Sequence, residues 1–284
     1  MIVQSLREIR RRIRSVESTK KLTHAMEMIS ISKLRAIQNR LNSFKHYFYA
    51  LESILGDAVD CLEGGDHKFL KKGKSEKICL CVIAADTGLC GVYNNNLLKA
   101  VVDFFKKHKK QEVTVVCVGK KALQFAQKRA LPVEGSFISL NGRYSHESAD
   151  AIAQKLVNIF SSGSAGEVYV AYTLFESGSR QRPLVEKILN IDMPPAGKRI
   201  VFVEPSAHEL INSLVPVYAS ARMRFILLNA FACEHSARGI AMGEATDNAG
   251  ELLDTLVLVR NKVRQANITR EIIEVISSSE ALKG

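Results

Sequence analysis

No apolar stretch of this 284-residue chain approaches the roughly 20 residues that a membrane-spanning helix requires. The basic, amphipathic amino terminus also lacks the apolar core and small-residue cleavage site of a secretory signal. Glu8 and Glu17 interrupt the acid-poor pattern of a transit peptide, so these residues are expected in the folded chain and the protein in the cytosol. The dinucleotide fingerprint GxGxxG and the phosphate-binding GxxxxGK[ST] are both missing, and no HExxH or paired histidine spacing offers a zinc site. The six cysteines (Cys61, Cys79, Cys81, Cys90, Cys117 and Cys233) show neither metal-ligand spacing nor a disulfide framework, in keeping with a reducing compartment. These absences leave no catalytic, cofactor-binding or metal-binding residue to assign.

Two long periodic segments at the chain ends are present instead. Ile2, Leu6, Ile9, Ile13 and Val16 step by 4, 3, 4 and 3, and the stripe returns as Leu34, Ile37, Leu41, Phe44, Phe48, Leu51 and Leu55. Near the other end Leu252, Leu256, Val259, Val263 and Ala266 repeat the alternation. A 3.5-residue apolar period needs a second helix to cover it, and each end is the expected partner of the other. The first helix should close before Gly64-Gly65, and the last should begin near Ser206, with a kink or restart at Pro216.

Between them the pattern alternates. Strands are expected at 78–85, 113–118, 168–174, 184–189 and 200–203, and helices at 94–108, 120–129 and 146–161, with a turn at Pro194-Pro195. Interleaving of this kind implies a largely parallel, Rossmann-like sheet covered on both faces. The expected organisation is therefore a helix over 1–63, an α/β domain over 77–204 and a helix over 206–284. Cys79 and Cys81 alternate within the first strand, either as small buried side chains or as a ligand pair.

The loop after that strand contains Gly88, Cys90 and Gly91, where a doubly wound sheet normally holds a phosphate. Without a fingerprint, the glycines read as turn and close-packing residues. Cys90 has no histidine in the neighbouring motif and reads as a packed small residue rather than a nucleophile.

Charge is uneven. Residues 1–45 carry eleven Lys or Arg against three Glu, whereas 238–284 carry six basic and seven acidic residues. The basic helix either meets an acidic counterpart (nucleic acid, lipid headgroups or protein loops) or is simply a solvated face. Residues 1–43 contain no aromatic side chain for base stacking, which weighs against nucleic acid. Toward the end, Thr246, Asp247, Asn248, Gly250, Asn261, Asn267 and Thr269 crowd mediocre helix formers into a helix. The backbone packs closely there, or polar groups are held for something outside, or the stretch is simply solvated.

The segment ATDNAGELLDTLVLVRNKVRQANITREIIEV closely resembles the carboxyl-terminal signature of the gamma subunit of F-type ATP synthases. IRRRIRSVESTKKLTHAMEMISISKLRAIQ resembles the family's opening helix, DTGLCGVYNNNL its internal GLCG loop, and EPSAHELINSLVPVY its approach to the last helix. The matches follow one another in order over nearly the whole chain. The resemblance implies an α/β protein with a long antiparallel coiled coil of the N- and C-terminal helices plus a central Rossmann-like, mostly parallel sheet domain. It implies a non-catalytic rotor shaft without cofactor. The expected partners are the alpha and beta subunits of the catalytic ring, the epsilon subunit and the membrane c-ring, with no nucleic acid and no small-molecule substrate. By the same resemblance Met26, Lys33, Arg264, Gln265, Thr269 and Glu271 would contact the ring, and the protein would lie peripherally on the cytoplasmic face of a bacterial inner membrane. Where the family usually has Arg, Gly and Lys, this chain has Thr87, Val92 and His24, and Gly239 and Gly243 depart from its SARMxAMxxAT pattern. A chloroplast-type cysteine insertion is not evident, which favours a bacterial form.

Overall fold

The computed structural model describes residues 5–62, 67–71, 73, 75–177, 180–191, 204 and 206–281. The chain forms two compact units: Ser30–Arg238, and Met1–Ile29 together with Gly239–Gly284. Helix α1 (Leu6–Asp60) and helix α5 (Ala207–Ala281) each contribute residues to both.

The unit Ser30–Arg238 is built on a five-stranded sheet of order β3-β2-β1-β4-β5. Its strands are β1 (Ile78–Ile83), β2 (Val113–Val118), β3 (Val133–Phe137), β4 (Glu167–Phe175) and β5 (Gln181–Leu189). The first four run parallel, and β5 pairs antiparallel with β4 at the edge. Pro183, which cannot donate to a ladder, sits on that edge strand. Every residue of β1 and β2 is buried, as expected of parallel strands covered on both faces.

Alternation sorts these side chains. Ile78, Leu80 and Val82 join α2 (Tyr93–Lys107) and α3 (Lys120–Lys128) in one core. Cys79, Cys81 and Ile83 join the core of α1, α4 (His146–Ser161) and α5 on the other face. Burial pushes the Cys79 thiol up to about 12 and raises that of Cys81 as well. No cluster of three or more His, Cys, Asp or Glu able to hold a metal occurs among the described residues. The two thiols are core groups.

Within this unit α1 and α5 pack together through aromatic rings. Phe48 stacks on Phe225 with centroids 4.7 Å apart and an interplanar angle of 12°. Arg222 bridges Glu52 on α1 (3.4 Å) and Glu186 on β5 (3.0 Å). Arg224 forks onto Asp150 of α4 at 2.8 and 2.9 Å.

Two expectations differ from the structure. Strand β3 was not anticipated, because VEGSF carries a glycine and alternates poorly. Helix α5 is one helix through Pro216 rather than restarting there. Ile211, Val215, Tyr218 and Ala219 are buried around the proline, and that packing outweighs a penalty of about 3 kcal/mol. The expected strand at 200–203, the turn at Pro194-Pro195 and the stop at Gly64-Gly65 lie outside the described residues.

Candidate functional site

Strand β1 is the switch point of the sheet, since β2 and β3 lie to one side of it and β4 to the other. Ligands of doubly wound folds bind beyond the carboxyl end of such a strand. Here Asp86 occupies that position. Its Oδ1 accepts from the backbone N–H groups of Lys120 (3.0 Å) and Ser139 (2.9 Å), and its Oδ2 from that of Asn141 (2.7 Å). One carboxylate thus joins the loops following β1, β2 and β3. Gly119 fits only as glycine, because a Cβ would lie 2.0 Å from the Ala84 carbonyl oxygen.

The rest of the crevice is filled by α5. Arg238 donates to Glu234 (2.8 Å), to the Thr87 hydroxyl (3.0 Å) and, through Nε, to the Gly88 carbonyl (3.3 Å). His235 Nε2 donates to the Gly142 carbonyl at 2.9 Å, which leaves Nδ1 to accept from Arg238 at 3.4 Å. Tyr93 donates to the Ala230 carbonyl at 3.2 Å, and Ala85, Cys90, Tyr93 and Cys233 close into a small apolar cluster. Gly91 takes a left-handed φ of 54°, whereas a Cβ on Gly88 would meet nothing. The anion position of a nucleotide-binding sheet is occupied by the protein's own arginine, glutamate and histidine.

The electrostatics match a closed structural joint. Burial raises the Glu234 carboxyl, although Arg238 opposes the shift. Burial, with help from Arg238 and Lys33, lowers His235 to about 4, so its ring is neutral near pH 7. Cys90 is raised by burial, the opposite of an activated thiol.

Within the unit Met1–Ile29 with Gly239–Gly284, α1 and α5 form an antiparallel helix pair. Ile9, Ile13 and Leu256 form its buried centre, flanked by Val16, Leu253, Val257 and Val263. Thr23 meets Thr246 at 2.8 Å. A Cβ on Gly243 would lie 3.3 Å from Glu27 Oε1, and one on Gly250 would lie 3.0 Å from Lys20 Nζ. Lys20, Thr23 and Glu27 therefore continue the α1 stripe across the gap that follows Val16. They are accommodated by glycine and threonine on α5. The expected α5 stripe is partly corrected: Leu256 and Val263 face the seam, but Leu252 and Val259 are each 39% exposed and Ala266 is exposed. Ala249 and Leu253 take the seam in their place.

Of the residues expected to contact a ring, Met26 and Lys33 are half-buried on α1, in separate units. Arg264, Gln265, Thr269 and Glu271 are all exposed on the last turns of α5, where the Thr269 hydroxyl donates to the Gln265 carbonyl at 3.0 Å. Beside them lies a group that the sequence reading passed over. Ile268, Ile272, Ile273, Val275 and Ile276 are between 45% and 66% exposed. Their signal was present in the apolar spacing that continues past Val263.

Comparison with known proteins agrees with this arrangement. A family model described as ATP synthase matches residues 5–282. The chain is 36% identical over 283 residues to the ATP synthase gamma chain of Solibacter usitatus, covering 98% of this chain and 99% of that one. It is 33% identical to the gamma chain of Alkaliphilus metalliredigens with the same coverage. Among solved structures, a chain of the Euglena gracilis mitochondrial ATP synthase in its OSCP/F1/c-ring assembly superposes with a TM-score of 0.70 at 16% identity, over 98% of this chain and 94% of that one. A chain from the Tetrahymena thermophila central stalk and c-ring gives 0.60 at 21% identity, over 79% of this chain and 99% of that one. With close agreement along its whole length and the antiparallel helix pair in place, the chain belongs to the ATP synthase gamma family.

Proposed function

We propose that this chain is the central rotor of a bacterial F-type ATP synthase. It couples ion flow through a membrane c-ring to synthesis or hydrolysis of ATP on a ring of alpha and beta subunits, and performs no chemistry itself. The observation that carries this reading is the end of α5. Five aliphatic side chains from Ile268 to Ile276 stand exposed beside Arg264, Gln265, Thr269 and Glu271. An apolar face of that kind calls for a partner surface, and a surrounding ring of subunits supplies one on every side of a helix.

Several features support the reading. The crevice at the end of β1 is filled by Arg238, Glu234 and His235, so the sheet serves as a scaffold. The basic outer face of α1 suits acidic loops that must slide past it, because an exposed charge pair holds only about 0–1 kcal/mol. No described helix is long and apolar enough to cross a membrane, which suits a peripheral subunit on the cytoplasmic face that meets the c-ring and an epsilon subunit. Met26 and Lys33 are assigned to contacts with the ring on α1, and Gly88, Cys90 and Gly91 to holding the loop against α5.

The test is reconstitution. Co-expressed with the alpha, beta and epsilon subunits of its own organism, the chain should copurify at one copy per ring and raise ATP turnover above that of the ring alone. Failure to join the ring, or duplex DNA as the preferred partner, would overturn the proposal.

A further inference from the structure

We infer that the amino end of the sheet is a cationic surface that engages anionic phospholipid headgroups; the inference rests on the peripheral placement proposed above. Segments 67–77 and 106–112 hold nine Lys against two Glu. The fold brings the described residues of these segments, 67–71, 73, 75–77 and 106–112, to one end of the sheet. Ile78 N–H donates to the Glu112 carbonyl at 2.9 Å, and Gly166 N–H to the Lys77 carbonyl at 2.9 Å. Ile191 N–H donates to the Phe69 carbonyl at 2.8 Å and Asn190 Nδ2 to the Leu70 carbonyl at 3.0 Å. The entries to β1, β2 and β4 and the exit of β5 therefore share one edge, on which Lys68, Lys71, Lys77, Lys107, Lys109 and Lys110 are exposed.

Local structure explains part of this charge. Lys77 pairs with Glu112 at 2.9 Å and Lys106 with Asp103 at 2.9 Å. Lys106 and Lys107 also complement the carboxyl end of the α2 dipole. Lys109 and Lys110 lie beyond the helix, and with Lys107 they form no ion pair among the described residues. Adjacent like charges repel, so the folded chain gains nothing from holding them together.

The chemistry selects a diffuse anionic surface. Phe69 is buried, and His108 is half-buried against Phe104 and Tyr169, so neither segment offers an exposed ring for stacking on a base. Flexible ammonium groups without shaped donors bind a charged interface through its potential, and each lysine near an anionic leaflet adds to the attraction.

The test uses the full-length chain in sedimentation with vesicles of phosphatidylcholine alone, or of phosphatidylcholine mixed with phosphatidylglycerol. Wild type should bind the mixed vesicles and not the neutral ones. K107E/K109E/K110E should weaken that binding by about a hundredfold. R10E/R11E/R14E, on exposed positions of α1, should change it much less. Equal binding by wild type and the lysine variant, greater loss with the arginine variant, or binding to duplex DNA in place of vesicles would overturn the inference. Assembly with the alpha and beta ring is scored in parallel. A chain that assembles but ignores charged vesicles defeats this inference and leaves the rotor reading standing. A chain that binds vesicles through these lysines but joins no ring does the reverse.

Discussion

The hydroxyl groups of Thr23 on α1 and Thr246 on α5 lie 2.8 Å apart in the seam of the helix pair. Each also reaches a carbonyl of its own helix, Lys20 for Thr23 at 3.1 Å and Met242 for Thr246 at 2.8 Å. One hydroxyl carries one proton, so the proton chain ends on one of these carbonyls, and either direction links the two helices. This polar layer lies in the same helix pair as the Ile13–Leu256 packing and fixes a register that apolar contacts alone could let slip by a turn. Thr246→Val should destabilise by about 1 kcal/mol, the net value of one such bond, because Thr23 keeps Lys20 as acceptor. The double substitution with Thr23→Val should cost less than the sum of the singles. Chemical denaturation of the four proteins gives the coupling, and strict additivity would show that the hydroxyls do not interact.

Gly243 and Gly250 face movable obstacles. The nearest atoms to their added Cβ positions are the carboxylate tip of Glu27 and the ammonium tip of Lys20, not backbone. Gly243→Ala should therefore recover most of the roughly 1 kcal/mol that glycine costs in a helix. Its melting temperature should rise by a few degrees. A fall would mean that Glu27 is unable to move aside, and that the glycine is required for close approach of the helices.

These two layers show where the sequence was legible and where it was not. The apolar stripe of α1 is plain up to Val16 and again from Leu34, since those positions carry large aliphatic side chains. Between them the seam is occupied by Lys20, Thr23 and Glu27, which periodic apolarity does not reveal. On α5 the opposite happens: Leu252 and Val259 are apolar but face outward, so counting hydrophobic residues puts the stripe out of phase. The strand–helix alternation of the centre was readable because β1, β2 and β4 are rich in apolar and β-branched residues. Strand β3, at the edge with a glycine, was not. The joint around Arg238 spans some 150 residues of sequence, so no local spacing reveals its contact with the loop after β1.

That joint should be costly to cut on one side. Arg238→Ala leaves Glu234, 1% exposed, without its counter-charge. Breaking a buried pair in this way costs about 3–5 kcal/mol, whereas replacing both partners with apolar groups is often close to neutral. The double substitution Glu234→Leu with Arg238→Met should therefore be more stable than Arg238→Ala alone. Hydrogen exchange at residues 87–90 reports the loop directly; protection there should fall in the single variant and return in part in the double. Unchanged protection in the single variant would show that Arg238 does not hold the loop.

His235 gives the same joint a pH dependence. Its ring titrates near 4 in the folded protein, against an ordinary value of 6.5, so the unfolded chain binds the extra proton over that interval. Stability from this residue is complete above about pH 6.5 and is lost as pH falls toward 4, at most about 3 kcal/mol. Glu234 acts in the other direction: its raised pKa means that its contribution declines as pH rises above the ordinary carboxyl range. Replacing His235 with Gln keeps a donor for Gly142 and removes the titration. Exchange at 139–142 should accelerate between pH 7 and pH 5 more in wild type than in the variant, after correction for intrinsic rates. Parallel profiles would remove His235 from the account.

The last turns of α5 separate stability from coupling. Residues 264–279 are exposed apart from half-buried Asn267, and the buried centre of the helix pair lies on Ile9, Ile13 and Leu256, before this segment on α5. Deleting 264–284 therefore removes almost no buried area among the described residues of that segment. Its melting temperature should change by no more than a degree or two, the scale of a surface substitution. In assembled complexes the same deletion removes Arg264, Gln265, Thr269 and Glu271 together with the exposed aliphatic face from Ile268 to Ile276. ATP-driven ion pumping in membrane vesicles should then fall relative to ATP turnover. Substituting Ile272 and Ile276 with Ser separates the two parts of this surface, because it spares every polar candidate while removing apolar contact. If the serine variant loses coupling as the deletion does, the aliphatic face is the bearing; if only the deletion does, the polar side chains carry the contact. Full coupling in both would show that the ring does not engage this end of α5.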